Sequence, residues 1–449
     1  MRELRRDRHW WRARNGTGLL AGTPGTFFRL TEKGAGIVTA IERGESVGPS
    51  PLVDRLVAAG AVHPVPTGTV PPEQVTVVVP AHVGSAEHVD RLQRLVDALT
   101  PLHVIVVDDA SPVQVTVRDA DTVRLDTNSG PGAARNAGMR RVTTDFVAFV
   151  DDDVEVTSGQ VLELCGHFTD PNVAFVAPRV TTPAGAGLIS GYESLRSPLD
   201  MGPDPARVRP RSVVPFVPAA VLVARTHAAS GAFDESLRHG EDVEFEWRVT
   251  GDSAQCRYEP RVVCHHPARP SLAAFIGQRF RYGRSAADIE RRIPGSVAPV
   301  RGNIFHLLPL ALLLCGQVLA AIDALFVSVA VTHFVLRGMG LPARGRISVS
   351  RLSITVASRH LSTAVTREWW PLFIAFSGFP TVTVAFFLTL SGLLLADFRA
   401  RRPENPAVYA VLRVLDNLAY GAGVWAGAFR TRSVRCLLPR LSFGLRRGG

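Results

Sequence analysis

The chain has 449 residues, 46% of them hydrophobic, and a formal charge of +10 from 50 Lys+Arg against 40 Asp+Glu. That length allows two or three domains, each with a sizeable core. The basic charge, nearly all arginine, is spread along the chain. It suits anionic lipid or phosphorylated small molecules, but without an aromatic-basic motif it gives no support to nucleic acid as a partner.

The cysteines Cys165, Cys256, Cys264, Cys315 and Cys436 are odd in number and irregularly spaced, which fits a reducing compartment rather than a disulfide framework. The opening "MRELRRDRHWWRARNG" has no apolar core of signal-peptide length, so the first part of the chain is expected on the cytoplasmic side.

Residues 1–70 read as a first small unit. "TFFRLTEKGAGIVTAIERG" (26–44) predicts a strand and a helix opened by Thr31, and "PSPLVDRLVAAGAVHPV" (49–65) a second helix closed by Gly60, then a strand. This composition suggests a winged-helix-like adaptor. "PTGTVPPEQ" (66–74) has the make-up of a linker.

Residues 75–290 read as an α/β domain. "VTVVVPA" (75–81) is a valine-rich run of the kind that forms a buried parallel strand. A helix follows over 85–100 with Ser85 as N-cap, then strands over 103–111 and 122–126. "GPGAARNAGMRRV" (130–142) predicts a Gly-started helix and "FVAFVDDD" (146–153) a fourth strand. This alternation predicts a parallel sheet with helices on both faces and ligands at the carboxyl ends of the strands.

Residues 300–449 predict a helical, membrane-associated region. "IFHLLPLALLLCGQVLAAI" (304–322) has no Asp, Glu, Lys or Arg, and 324–336 continues apolar. "PLFIAFSGFPTVTVAFFLTLSGLLLA" (371–396) is also without charge, and about 20 apolar residues span a bilayer. Flanking arginines suit anionic head groups on the cytoplasmic face, and their presence on both sides leaves spans, hairpins and interfacial helices open. The stretch 408–429 contains Arg413 and Asp416, which makes it a weak span or a surface helix.

Both acidic clusters fall at strand ends. Asp108 and Asp109 can accept from a base N–H or a ribose hydroxyl, or merely cap a turn. In "NSGPGAARNAG" (128–138) the glycines permit close backbone approach, the helix start offers N–H groups to an anion, and Arg135 can fork onto phosphate, with Asn136 beside it. Asp151 and Asp153 point the same way if the strand continues through them, with Asp152 between. Two such carboxylates and a diphosphate suit Mg2+ or Mn2+; the plainer reading is a solvated acidic turn. Glu241 and Asp242 open a helical pattern that includes Trp247, and acids there are favoured by the helix dipole. The sharper reading makes one of them a base that takes a proton from an attacking hydroxyl. His265 and His266 offer a further metal ligand, only one of them able to point inward. Gln278, Arg281 and Tyr282 are placed to grip an acceptor or a diphosphate, or form a basic helix face.

In this order the motifs resemble family 2 glycosyltransferases of the GT-A fold, over about 75–285. The resemblance implies that Asp109 holds the nucleoside and Asp151 and Asp153 form the D-x-D. It places "GAFDE" (231–235) on the family's Gly-aromatic-Asp-Glu segment, with Ala232 inserted, and makes Asp242 the catalytic base. Tyr282 stands where the terminal Q-x-x-R-W motif has tryptophan, which leaves processivity open. The stretch 197–225, the N-terminal unit and the apolar tail more closely resemble the mycofactocin-system glycosyltransferases of actinobacteria. That implies β-linked glucose, with UDP-glucose as the expected donor, added to a peptide-derived redox cofactor, and a peptide-binding chaperone-like role for 1–70. The competing expectations are a membrane transferase with a lipid or cell-wall acceptor and a non-catalytic nucleotide-sugar-binding adaptor.

Overall fold

The computed structural model describes residues 2–210, 212–251 and 254–442. The chain divides into two compact units, one built from the residues up to Asp7 with Gly44–Arg269, the other from Arg8–Arg43 with the residues from Pro270 onward. The first 70 residues, expected as one small domain, are therefore shared between the units. The helix 272–292, expected within the α/β domain, belongs to the second.

In the first unit, eight strands make one sheet: β1 (Val75–Ala81), β2 (His103–Asp108), β3 (Asp121–Arg124), β4 (Phe146–Val150), β5 (Val173–Thr181), β6 (Ala206–Val208), β7 (Val221–Arg225) and β8 (Gln255–His265). Their order is β6-β8-β5-β7-β4-β1-β2-β3. The β4-β1-β2-β3 half is parallel, as the valine-rich runs predict. The other half is not: β7 lies antiparallel between β4 and β5, and β6 antiparallel on β8. The sheet is thus mixed, a common form in which antiparallel strands join a parallel set.

Helices α1 (Ala86–Leu99), α2 (Pro131–Met139), α3 (Ser158–Cys165), α4 (Leu188–Arg196) and α5 (Glu241–Val249) accompany it. Two apolar layers, one on each face, are centred on Val77, Val79 and Val106 and on Val78, Ile105 and Phe149. This is the period-2 consequence of a strand buried on both sides. Local chemistry sets the helix starts. The Ser85 hydroxyl accepts from His88 N at 3.3 Å, and Gly130, at φ 92, turns the chain into α2. Leu4–Arg6 pairs antiparallel with Val62–Pro64 in the same unit.

The second unit holds a three-stranded antiparallel sheet of Trp10–Arg12, Gly18–Ala21 and Thr26–Arg29 and the helix Glu32–Glu42, capped by Thr31 as expected. Its other helices are α6 (Leu272–Arg292), α7 (Ile304–Leu314), α8 (Val318–Gly338), α9 (Ala343–Arg367), α10 (Trp370–Ala375), α11 (Pro380–Arg401) and α12 (Pro406–Thr431). Each apolar stretch of the sequence is broken, the first around Gly316 at φ 76 and the second before Pro380. Among the described residues two helices, α8 and α11, are long and apolar enough to cross a membrane. The helix α12, expected at the surface or as a weak span, packs along α6 with Arg413 and Asp416 buried.

Candidate active site

The site is built at the carboxyl ends of β2 and β4. Asp109 leaves β2 and is buried; Oδ1 accepts from Ser129 N and Oδ2 from Gly130 N, both at 2.7 Å. Asp108 accepts from Ser111 N at 2.8 Å and pairs with Arg124. Both acids thus organise the turns around them. Each Asp109 oxygen keeps a lone pair with which to accept an incoming N–H or hydroxyl.

The β4 strand ends at Val150, one residue before the acids, and Val154 N returns to Asp151 O at 3.2 Å. The extension that would have aligned Asp151 and Asp153 therefore stops. The three carboxylates turn to three different partners instead. Asp151 Oδ1 accepts from Arg135 at 2.7 Å, Asp152 Oδ2 meets His88 Nε2 at 3.0 Å, and Asp153 Oδ2 lies 3.2 Å from His266 Nε2.

Arg135 is the link across the site. It is buried on α2, and its other terminal nitrogen donates to Glu241 Oε1 at 2.8 Å. One guanidinium thus ties the acid triplet to the first turn of α5, where Asp242 follows Glu241. The fork expected on a phosphate is occupied by two carboxylates. Next to it, Asn136 clamps the 231–235 segment: its amide accepts from Phe233 N at 2.8 Å and donates to Phe233 O and Glu235 Oε1, both at 2.9 Å. Phe233 stacks on Phe245 with ring centres 4.2 Å apart. The inserted Ala232 takes φ 56, which a non-glycine residue adopts at a cost.

Asp242 is half-buried and accepts from Val243 N at 2.8 Å and Ala219 N at 3.2 Å. Burial, and then the charge of Glu241, push its carboxyl up to about 6, against the pull of Arg135 and the two backbone N–H groups. Burial also raises Asp151; Arg135 opposes it, while the charges of Asp153 and Asp152 add to it. Asp153 goes the other way. Burial would raise it, but the hydrogen bond and charge of His266, with Arg269 and Arg91, bring it down to about 2.

The histidines separate cleanly. His265 is exposed and its Nδ1 meets Thr181 Oγ1 at 3.0 Å, while His266 is buried and faces Asp153. His266 Nδ1 lies 2.7 Å from the Pro267 carbonyl, which only accepts, so Nδ1 carries the proton. Nε2 is then the acceptor end of the ring: Arg269 Nη2 lies 3.0 Å from it and Asp153 Oδ2 3.2 Å, so a guanidinium already supplies positive charge there. A metal ion would have to displace that guanidinium; a carbonyl such as that of Pro267 is the kind of partner that orients a ligand histidine. With Arg269 turned aside, His266 and Asp153, close to the charge of Asp151, have the donor types a divalent ion takes. Among the described residues no group of three or more His, Cys, Asp or Glu side chains is placed to enclose an ion unaided. Oxygens of a bound diphosphate would complete the set.

Other expected residues are placed differently. The Trp247 indole donates to Pro215 O at 2.6 Å and so braces the 212–219 loop. Gln278, Arg281 and Tyr282 lie on α6, in the second unit. Gln278 is buried there, donating to Tyr282 Oη at 3.1 Å and accepting from Arg279 at 2.6 Å, whereas Arg281 is exposed. No local pattern marks His88, or Arg238, which donates to Asn128 Oδ1 at 2.6 Å and lies over the Gly130 turn.

Residues 76–222 match the model of the family described as Glycosyl transferase family 2. Over 95% of its length the chain is 34% identical to a pre-mycofactocin glycosyltransferase of Mycobacterium tuberculosis, covering 95% of that protein. An uncharacterized glycosyltransferase of Haemophilus influenzae is 24% identical over 44% of this chain and 71% of its own length. Among solved structures, a mannosyltransferase of Pyrobaculum calidifontis in complex with GDP-Man and Mn2+ is 16% identical, covering 84% of this chain and 97% of that one at a TM-score of 0.43, too distant a likeness to build on.

Proposed function

We infer the reaction from the premise that the chain belongs to the pre-mycofactocin glycosyltransferase family, within the family 2 glycosyl transferases. In our reading it is an inverting, metal-dependent enzyme of the GT-A type. It transfers glucose from a nucleotide sugar, UDP-glucose, in β linkage to the peptide-derived redox cofactor or its precursor. The observation that carries this reading is the Arg135 bridge, which brings the acid triplet and Asp242 into one site.

Asp109 and the Gly130 turn receive the nucleoside side of the donor. Mg2+ or Mn2+, held by Asp153, His266 and Asp151, would neutralise charge on the leaving diphosphate. Asp242 removes the proton of the acceptor hydroxyl as its oxygen attacks the anomeric carbon in line with the departing diphosphate oxygen. A single displacement turns an α-linked donor into a β-linked product. Arg135 fixes Glu241 and Asp151 in register, so that base and donor meet at a set distance. Burial has already lifted Asp242 towards the pH at which it works.

A second reading, transfer to a lipid or cell-wall acceptor, is favoured by the apolar helices α8 and α11, which also support a place at the cell membrane; the flanking arginines are what favour a cytoplasmic face for the catalytic unit. The test uses detergent-solubilised protein, a panel of nucleotide sugars, Mg2+ or Mn2+, and Asp242→Asn. Metal-dependent UDP release that disappears in the variant supports the enzyme reading, and mass spectrometry of the peptide-derived and lipid acceptors separates the two products. Nucleotide binding without release from any donor, acceptor present, would instead leave an adaptor.

A further inference from the structure

We propose that the helical unit is monotopic: α7–α8 and α10–α11 are two re-entrant hairpins that dip into one leaflet and return to the side they entered from. The proposal rests on the membrane reading above and specifies its topology.

The descending arms are short. The 11 residues of α7 and the 6 of α10 reach about 16 and 9 Å, against a hydrocarbon core of about 30 Å. Both hairpins close on themselves. His306 on α7 meets Ser328 on α8 at 2.9 Å, and Phe373 on α10 packs on Phe386 of α11 with ring centres 5.6 Å apart. The two tips lie together, since a methyl built on Gly316 would sit 3.9 Å from Thr381 Cγ2.

Both hairpins also start from one polar layer. Arg301–Asn303, just before α7, pairs with Arg440–Ser442, and Arg440 bonds Glu290 at 2.7 Å. His360 Nδ1 reaches Arg301 O at 3.1 Å, and Trp369, just before α10, donates to Leu437 O at 2.9 Å. The far end of α8 comes back to protein rather than to a second membrane face. Leu336 and Leu341 are buried with Leu20, and Arg14 N donates to Gly340 O at 3.0 Å. Between the polar layer and the tips the surface is apolar: Leu319 is 80% exposed, Phe326 74%, Leu388 68% and Phe379 61%. The occupant of that surface is lipid, and arginines at the open ends (Arg337, Arg344, Arg399, Arg401, Arg402) select an anionic leaflet.

One residue weighs on each topology. A single-leaflet dip carries exposed Asp323, on α8, into hydrocarbon. A full crossing with the tips at the far head groups would instead centre Arg301 and exposed Arg440 in the bilayer. The dip thus carries one charged side chain into hydrocarbon, where the crossing centres two. The dip is therefore the cheaper arrangement.

Cys315 is the exposed member of the five cysteines and lies at the first tip. The full chain, labelled there with an environment-sensitive fluorophore, is reconstituted into phosphatidylglycerol–phosphatidylcholine vesicles carrying a nitroxide either at the head group or near the acyl-chain end. The dip predicts several-fold stronger quenching by the acyl-end nitroxide, and Asp323→Leu should tighten vesicle binding. Stronger quenching by the head-group nitroxide places the tip at a bilayer surface, near or far, and overturns the dip while leaving the membrane reading intact. A label that neither shifts nor is quenched with vesicles overturns both.

Discussion

Both units bury charged groups, but they differ in what they expose. In the α/β unit valine, phenylalanine and alanine are packed inside, and the carboxylates at the strand ends are tied to a buried Arg135, with Asp151 and Asp153 partly open. In the helical unit Arg413, only 1% exposed, is bonded to Asp397 and Asn417, Arg279 pairs with Asp416, and leucines and phenylalanines face outward. A surface of that kind is ordinary in lipid and rare in water. On the proposed function the same amino acids serve catalysis in one unit and hold helices together in the other, and substitutions should fail differently in each.

The largest effect is expected at Asp242. Asp242→Asn keeps the shape and removes the base, so transfer should fall about 10²- to 10⁴-fold, the usual range for loss of general base catalysis. Thermal unfolding should be no worse than wild type, because the native carboxyl is held in a place that disfavours its charge. An unchanged rate would move the base elsewhere and break the functional half of the comparison. Next comes Arg413→Met, which takes the 3.1 Å guanidinium from Asp397 and leaves it the Tyr409 hydroxyl at 3.4 Å and Arg401 at 4.0 Å. Removing one partner of a buried pair costs up to about 3–5 kcal/mol, less where such contacts remain, and Arg413→Met with Asp397→Leu should recover most of the loss. Thermal unfolding of the two variants in detergent measures this.

The helical unit also depends on close approach. A side-chain carbon on Gly423 of α12 would lie 2.0 Å from Phe280 O on α6, and one on Gly283 of α6 would lie 2.0 Å from Tyr420 O on α12. Gly423→Ala should cost at least the ~1–3 kcal/mol typical of overpacking and lower the unfolding temperature of this unit. No loss would mean that the two helices are freer than their contact implies.

How far the sequence revealed all this follows from the range of each interaction. Strand runs and caps are local, so 75–81, the Ser85 and Thr31 caps and the Gly130 turn were readable. So were the acids at the strand ends, since an apolar run closed by aspartates is a local pattern. Partner choice was not local. Arg135 lies 106 positions from Glu241, and nothing near it says that its fork would meet carboxylates rather than phosphate. His88 looks like any surface residue of an amphipathic helix until Asp152 is brought to it. The antiparallel β7 was hidden because a buried strand reads alike in either direction. The division of 1–70 was hidden because its strands are three or four residues long and fall into two separate sheets, Leu4–Arg6 with Val62–Pro64 in one and the three strands between Trp10 and Arg29 in the other.

A titration sharpens the catalytic side more finely. Asp242 is held up at about 6, so it carries a proton below that pH and cannot accept another. The rate at limiting substrate should fall about tenfold per pH unit below 6 and level off above it. Stability runs the other way. A carboxyl whose folded value is raised adds most to stability below the ordinary aspartate range, and that contribution is lost as pH rises through about 6. Asp242→Asn should remove this slope from unfolding curves between pH 4 and 7. A rate profile flat down to pH 5 would place proton removal on another group.

The smallest effect tests the premise that place, not charge, decides. His103 Nε2 and Asp121 Oδ2 meet at 3.0 Å in the α/β unit, with 52% and 69% of their side chains exposed. The contact matches the buried pairs in geometry and differs in surroundings. Water already solvates both partners, salt screens them, and holding two side chains in place costs entropy. Exposed pairs are worth about 0–1 kcal/mol for these reasons. His103→Gln should therefore shift the unfolding midpoint barely at all, with any shift vanishing in high salt. A loss comparable to Arg413→Met would mean that the strand edge at β2 and β3 is closed off from water, and the contrast between the units would then lie in sequence position rather than in solvent.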